Sequence, residues 1–240
     1  MHSPFVFDFI RQVLMDKNHY EAYDVAESLR KRLLNDHDKI AVKDFGAGSS
    51  KDSSDLRKIA AIAKNAAKPK KYGQLLFRMV QYYKPSLILE LGTSLGITTS
   101  YLSLADPGAA VTTMEGAPEI ASLAKKNFEQ LQLRNIKIIG GNFDDILPPQ
   151  VNNSKTIDFA FLDGNHRMKP TIEYFNTILT KINSNSIIVV DDIHWSLDME
   201  KAWQVIKTHE AVQCSIDLFF IGIVLFRKEF HEKQHFVIRF

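Results

Sequence analysis

Ten residues, Leu87-Ile-Leu-Glu-Leu-Gly-Thr-Ser-Leu-Gly96, constrain this 240-residue chain more than any other stretch. Apolar positions around one acid, Glu90, read as a buried strand. Gly92 then opens a turn, and the stretch from Ile97 to Leu104 begins a helix. A strand, a glycine turn and a helix in that order aim backbone amides at something anionic. Twenty-three residues beyond Gly92, a second apolar run, Ala110 to Met114, ends in Glu115. An acid at the tip of the next parallel strand is where a nucleotide ribose finds its hydrogen-bond acceptor. The chain is therefore expected to bind an adenosine-containing cofactor.

Glycine spacing narrows the choice of cofactor. Dinucleotide sites use G-x-G-x-x-G, whose second glycine lets a pyrophosphate approach the backbone. Here the pattern is Gly92-x-x-x-Gly96, with Thr93 and Ser94 where that approach would occur. Glu90 would repel a pyrophosphate but is suited to an ammonium. S-adenosylmethionine carries an ammonium, a carboxylate, a sulfonium and a ribose, and it suits this turn. Glu90, Gly92, Thr93, Ser94, Gly96, Glu115 and Gly116 are the expected contacts. The stretch resembles motif I of the class I S-adenosylmethionine-dependent methyltransferases. A glycine turn in some other α/β protein is the plainer alternative.

From Pro85 onward, strands and helices alternate as in a parallel sheet. Strands are expected at 86–91, 110–115, 136–140, 157–162 and 186–191. Helices are expected at 95–105, 118–132, 169–181 and 197–208. Two apolar runs, 212–219 and 221–227, are too close for a crossover helix and must pair as an antiparallel hairpin. The fold class is thus α/β, a doubly wound, seven-stranded, mostly parallel sheet of the Rossmann-like methyltransferase kind. The tail from His235 to Phe240 offers one more edge strand. Residues 70–240 form the expected cofactor-binding domain, and residues 1–69 a helical N-terminal extension or lid.

Three tip sequences carry the chemistry, because doubly wound sheets bind ligands at the carboxyl ends of their strands. After 136–140 come Asn142, Phe143 and Asp144: the ring is suited to stack on adenine and the acid to accept from its amino group. The alternative is an Asx-type turn with Asp144 as a helix N-cap. After 157–162 come Asp163, Gly164, Asn165 and His166; after 186–190 come Asp191, Asp192, Ile193, His194 and Trp195. Three carboxylates at adjacent tips repel one another unless something positive sits between them. Oxygen ligands suit a hard divalent ion, Mg²⁺ before Mn²⁺ or Ca²⁺.

These tips resemble those of the metal-dependent O-methyltransferases, of the catechol, caffeoyl-coenzyme A and macrolide-sugar types. In the first two an Asp after one strand and an Asp-Asn pair after the next hold the metal; here the pair is Asp191-Asp192. The Asp-x-x-His arrangement is closer to the macrolide-sugar enzymes, whose histidine resembles a general base. The resemblance implies Asp163, Asp191 and Asp192 as ligands, Asp163 also beside the cofactor, and His166 as the base. A histidine with an unperturbed pKa near about 6.5 accepts a proton at neutral pH. Otherwise Asp191 caps a turn, Asp192 pairs with Lys169 or Arg167, and His166 is a structural hydrogen-bonder. His194 is a second candidate base. Trp195 and Trp203 read as packing residues. Tyr72-Gly73-Gln74-Leu75-Leu76 resembles the helix that precedes motif I in the same family.

The function implied is S-adenosylmethionine-dependent O-methylation of a small-molecule hydroxyl, with divalent-metal assistance. A nicotinamide-dependent oxidoreductase is the alternative, disfavoured by the missing central glycine and the terminal hairpin. A non-catalytic cofactor-binding protein of the same fold is the other.

The first 84 residues are less readable. Phe5, Val6, Phe9, Ile10, Val13 and Leu14 recur at helical spacing after Ser3-Pro4, and a second helix is expected over 23–34. Ile40 to Ser49 imitates a nucleotide turn, but no acid-tipped strand follows. It reads as a loop with a short edge strand, or a lid. A helical pattern over 55–67 and a helix over 72–83 follow. His2, His19, Tyr20 and Tyr23 are the polar and aromatic candidates for an acceptor pocket. The positive surplus lies in this part of the chain, where Lys64, Lys68, Lys70 and Lys71 read as a solvated face.

A net charge of +2 predicts no general affinity for nucleic acid. The single cysteine, Cys214, excludes an intrachain disulfide and suits a reducing cytoplasm. No run reaches the roughly 18 to 20 apolar residues of a membrane span. A small-molecule acceptor and a second copy of the chain, as a homodimer, are the expected partners.

Overall fold

The computed structural model describes residues 3–42, 56–66, 68–230 and 232–240. Helix α1 (Pro4–Phe9) starts where Ser3 caps it and Pro4 presets its first turn, then runs into a π-helical turn, Ile10–Leu14. Helix α2 (Glu21–Leu34) follows. Strands β1 (Lys39–Ala41) and β2 (Leu56–Lys58) pair antiparallel as a separate two-stranded sheet. Helix α3 (Ile59–Ala66) and helix α4 (Lys70–Tyr83) complete the N-terminal part. The short edge strand at residue 40 is therefore present, while most of the imitation nucleotide turn, from Lys43 on, lies outside the described residues, as does His2. The helical pattern expected from residue 55 starts only at Ile59, because pairing with β1 holds Leu56 to Lys58 extended.

The remainder alternates as its apolar periods predict. It comprises β3 (Leu87–Leu91), α5 (Ile97–Ala105), β4 (Ala110–Glu115), α6 (Pro118–Gln130) and β5 (Ile136–Gly140). Then come α7 (Phe143–Asn152), β6 (Phe159–Leu162), α8 (Met168–Leu179), β7 (Ile187–Asp191) and α9 (Leu197–Thr208). Strands β8 (Cys214–Asp217), β9 (Ile221–Leu225) and β10 (Gln234–Val237) end the chain. Helix α7 is a departure from the sequence reading: two prolines, Pro148 and Pro149, lie inside it and argue against a helix. The Asx cap falls on Asn142, whose side chain accepts from the Asp144 amide, and not on Asp144.

The main sheet has the order β10-β8-β9-β7-β6-β3-β4-β5. β7, β6, β3, β4 and β5 run parallel, and β9 is antiparallel to both neighbours, as the short connection requires. Among the described residues it has eight strands, the expected seven and β10, the further edge strand offered by the tail, which pairs parallel with β8. β3 is the switch point: the chain leaves it toward β4 and β5, then returns across it to β6. Ligand crevices of doubly wound sheets open there.

Alternation along β3 divides the core. Ile88 packs with Leu75, Leu76 and Met79 of α4 and with Val6, Phe9 and Val13 of the first helical segment. Leu89 and Leu91 face Tyr174, Phe175 and Trp203 on the other side. Fully burying such a side chain contributes roughly 1.5–3 kcal/mol. A third cluster joins Tyr23 and Leu29 of α2 and Ile62 of α3 to Tyr101 of α5. Buried Arg78 of α4 donates to the Val13 carbonyl at 2.7 Å and to the Tyr23 hydroxyl at 3.4 Å, tying the extension down. Among the described residues, no helix is long and apolar enough to cross a membrane.

Candidate active site

Register brings the predicted tips together. Leu91 pairs with Leu162, and Leu162 with Val190, so Gly92, Asp163 and Asp191 end three neighbouring strands. The Asp163 amide donates to the Leu91 carbonyl at 2.8 Å. Gly92 has φ +100°, and a Cβ there would overlap the Asp163 carbonyl oxygen. Gly96 has φ +84° as the N-cap of α5 and lies against the Phe128 ring. Only glycine suits either position.

The turn's amides are not aimed outward as the sequence reading expects. Those of Gly92 and Thr93 both donate to the Met114 carbonyl at 3.0 Å, and that of Gly96 to the Thr93 carbonyl. The Ser94 amide does meet an anion, but it is Glu115, at 2.8 Å. Glu115 also accepts from the Ala117 amide at 2.9 Å, which fixes both carboxylate oxygens at the tip of β4, beside Gly116. The Thr93 hydroxyl is buried against that of Thr113 at 2.6 Å, so its side chain belongs to the wall.

Glu90 is fully buried, and its Oε2 accepts from Thr99 at 2.5 Å and from Thr113 at 2.6 Å. Its Oε1 has no hydrogen-bond partner among the described residues. Burial pushes this carboxyl up to about 8, against the lowering effect of the two threonines. An orphaned buried acceptor behind the turn is the feature an ammonium-bearing ligand needs. Ala63 of α3 covers the turn, leaving a cavity of about 20 Å³ with Gly92, Ser94, Thr98 and Asp163, room for roughly one water.

The adenine candidates are half in place. Phe143 meets Tyr174 edge-on at 6.0 Å. Asp144 accepts from the Tyr174 hydroxyl at 2.7 Å, and that hydroxyl accepts from the Asn165 amide at 3.0 Å. This relay holds the loop after β6, where Asn165 (φ 68°) and His166 (φ 29°) are both left-handed. Ser94 (φ 47°) and Asp192 (φ 52°) repeat the strain at the other tips. Such backbone persists only where the surroundings over-determine it, and it concentrates at ligand sites.

Asp163, His166 and Asp191 each bring one ligand atom within 4.8 Å of the others. His166 Nε2 lies 3.5 Å from Asp163 Oδ1. Into this cluster reaches Lys68, a residue assigned to a solvated face by the sequence reading. Its Nζ contacts Asp191 directly, hydrogen-bonds Asp192 at 2.9 Å and lies 4.0 Å from Asp163. The lysine side chain is only 14 % exposed. Asp192 thus pairs with neither Lys169 nor Arg167 but with Lys68, and it joins the cluster through that ammonium. Burial alone would lower the lysine, yet the three carboxylates together hold it above its ordinary value. Burial would raise Asp163, but Lys68 and His166 hold it well below the usual carboxylate range. Asp191 goes the other way: complete burial and the Asp163 charge outweigh Lys68 and push it up.

With Lys68 so placed, the donor set does not fit a divalent ion. Such an ion fills several of its positions with water but needs direct carboxylate oxygens, and the Lys68 ammonium already contacts Asp191, the carboxylate at the centre.

Aromatic rings rim the site. Trp195, expected to pack, is 65 % exposed and lies 5.9 Å from the His166 ring. Phe219 and Phe220 are exposed as well, beside His194 and Tyr72 respectively. Tyr72 is buried, and its hydroxyl has no hydrogen-bond partner among the described residues. Trp203 does pack, donating to Asp217 at 3.2 Å. His194 is held by Asp217 at 2.8 Å. Tyr20 meets the Phe77 ring at a tilt and Tyr23 meets it edge-on, while exposed His19 pairs with Asp24.

Comparison with known proteins agrees with this geometry. Residues 89–193 match the family described as a methyltransferase domain. The chain is 32 % identical over 124 residues to a catechol O-methyltransferase of Niastella koreensis, covering 50 % of this chain and 55 % of the relative. It is also 32 % identical over 95 residues to the catechol O-methyltransferase of Mus musculus, covering 38 % and 36 %. The chain thus spans about half the length of these relatives, or less. Among solved structures, an SAH-bound methyltransferase of Podospora anserina superposes with a TM-score of 0.65 at 16 % identity, covering 95 % and 98 %. An O-methyltransferase of Bacillus cereus in complex with SAH gives 0.58 at 20 %, covering 92 % and 97 %. The fold is that of the Rossmann-like methyltransferases.

Proposed function

We propose that this chain, which carries a methyltransferase domain over residues 89–193, transfers a methyl group from S-adenosylmethionine to a hydroxyl of a small molecule. One observation carries the reading: register converges the Gly92 turn, the fixed Glu115 carboxylate and the Asp163–His166 pair at the switch point of the sheet. The catechol O-methyltransferase relatives and the SAH-bound neighbours support it.

When bound, S-adenosylmethionine supplies an electrophilic methyl, passed on in a single in-line displacement with the electron pair returning to sulfur. Glu90, through its orphaned oxygen, receives the cofactor's ammonium. Glu115 accepts from the ribose, and Phe143 and Asp144 border the adenine. The backbone of Gly92, Ser94, Gly96 and Gly116 shapes the cradle. His166 takes the proton of the acceptor hydroxyl, and Asp163 orients its ring. Holding that oxygen in line with the methyl supplies much of the acceleration. The rim of Trp195, Phe219 and Phe220 favours an acceptor with an aromatic ring. The N-terminal extension covers the site, with Ala63 of α3 lying over the Gly92 turn. Buried Cys214 as a free thiol suits a reducing cytoplasm.

Calorimetric titration with S-adenosylhomocysteine tests the reading, with NAD as control. Micromolar binding of the first and none of the second is the expected result. If the homocysteine product does not bind, the proposal fails.

A further inference from the structure

We propose that Lys68 is the resident cation of the carboxylate cluster, taking the place among Asp163, Asp191 and Asp192 that a divalent ion would hold, so that the site works without a metal. The consequence for catalysis rests on the methyl-transfer reading; the placement of the ammonium does not.

The crowding of carboxyl groups calls for a cation. Asp163, Asp191 and Asp192 meet at one cluster, and Asp191 is fully buried. Any negative charge such a cluster holds away from water is costly unless an opposite charge is in contact. Lys68 meets that need with a compact ammonium whose three donors can reach different partners. It contacts Asp191, lies 2.9 Å from Asp192 and 4.0 Å from Asp163.

The lysine is delivered by anchored backbone, not by chance. It sits between α3, whose Ile62 and Ala63 are buried against α2, and α4, which begins two residues later and buries Tyr72, Leu75 and Leu76. The following Pro69 is the extended N-cap of α4 (φ −51°, ψ 140°), which limits the path of the connection. A tethered cation differs from a bound ion in one respect: it cannot accept an oxygen ligand by coordination and acts only through charge and N–H donation. Lys68 is therefore a positioning residue. Its ammonium lies 4.0 Å from Asp163, the partner of His166 at 3.5 Å, and offsets negative charge as the acceptor hydroxyl loses its proton to His166.

The test is a titration of the full chain with MnCl₂, which needs neither cofactor nor acceptor. The wild type is expected to show no stoichiometric uptake at micromolar Mn²⁺. Lys68→Ala is expected to open the cluster and bind Mn²⁺ at least tenfold more tightly, and the double variant Lys68→Ala/Asp191→Asn to lose that gain. Micromolar Mn²⁺ binding by the wild type, abolished by Asp191→Asn, would overturn the proposal. So would a folded Lys68→Ala that binds no more Mn²⁺ than the wild type. If Lys68→Ala does not fold, Lys68→Met, which keeps the side-chain volume without the charge, is titrated instead against the same criteria. Failure of the methyl-transfer reading would appear separately, as absence of S-adenosylhomocysteine binding.

Discussion

Gly92 and the carbonyl oxygen of Asp163 face each other with no room for a methyl group between them. The amide of the same Asp163 is bonded to the Leu91 carbonyl, so neither strand tip can retreat alone. Gly92→Ala therefore carries two penalties, a left-handed backbone and a backbone clash, of about 1–3 kcal/mol for the first alone. The variant is expected to melt lower and to bind S-adenosylhomocysteine at least tenfold more weakly. Calorimetry on the folded variant checks this; unchanged affinity would show that the turn does not touch the cofactor.

Glu90 makes stability depend on pH. Its carboxyl is raised by burial to about 8 from an ordinary 4.5, so the folded chain keeps a proton that the unfolded chain releases. Its contribution is fully present below about pH 4.5 and is lost as pH rises through about 8. At about 1.4 kcal/mol per pKa unit the loss reaches a few kcal/mol. Glu90→Gln is expected to flatten that decline. Denaturant unfolding of both proteins from pH 5 to 9 reads it directly, and parallel curves would contradict the assignment.

Asp163→Asn removes the charge that orients His166 while keeping side-chain volume. Activity is expected to fall by about 10²–10⁴, the usual range for loss of positioned acid–base catalysis, with the fold retained by circular dichroism. Full activity with the acceptor would remove Asp163 from the machinery.

Trp195 is 65 % exposed and meets the His166 ring edge-on, so Trp195→Ala is expected to change stability by less than about 0.5 kcal/mol. Its effect should appear in the acceptor's KM, with cofactor affinity unchanged. An unaltered KM across aromatic acceptors would place the acceptor elsewhere.

Tyr174→Phe breaks the Asp144–Tyr174–Asn165 relay that holds two left-handed residues. A loss of roughly 1 kcal/mol in stability is expected from the hydrogen bonds. A larger fractional loss is expected in activity, because His166 follows Asn165 in the strained turn.

Much of this protein is local and so legible from its residues. The apolar run around Glu90, the Gly92–Gly96 spacing and the acid at Glu115 depend on neighbours in sequence, and they predict the strand, turn and switch-point cleft. The alternation of strands and helices beyond Pro85 follows for the same reason. Asp163, His166 and Asp191 could be assigned to one site because parallel register places strand tips side by side. Helix α7 was hidden by Pro148 and Pro149, whose local signal opposes the helix they occupy. What only tertiary structure decided is the sign and source of the charge among those tips. Lys68 lies 124 residues from Asp192, in a run of lysines whose local pattern is that of a solvated face. Its burial is set by the packing of α3 and α4 over the cleft, and Coulomb attraction selects a partner by distance in space, with no trace in local spacing.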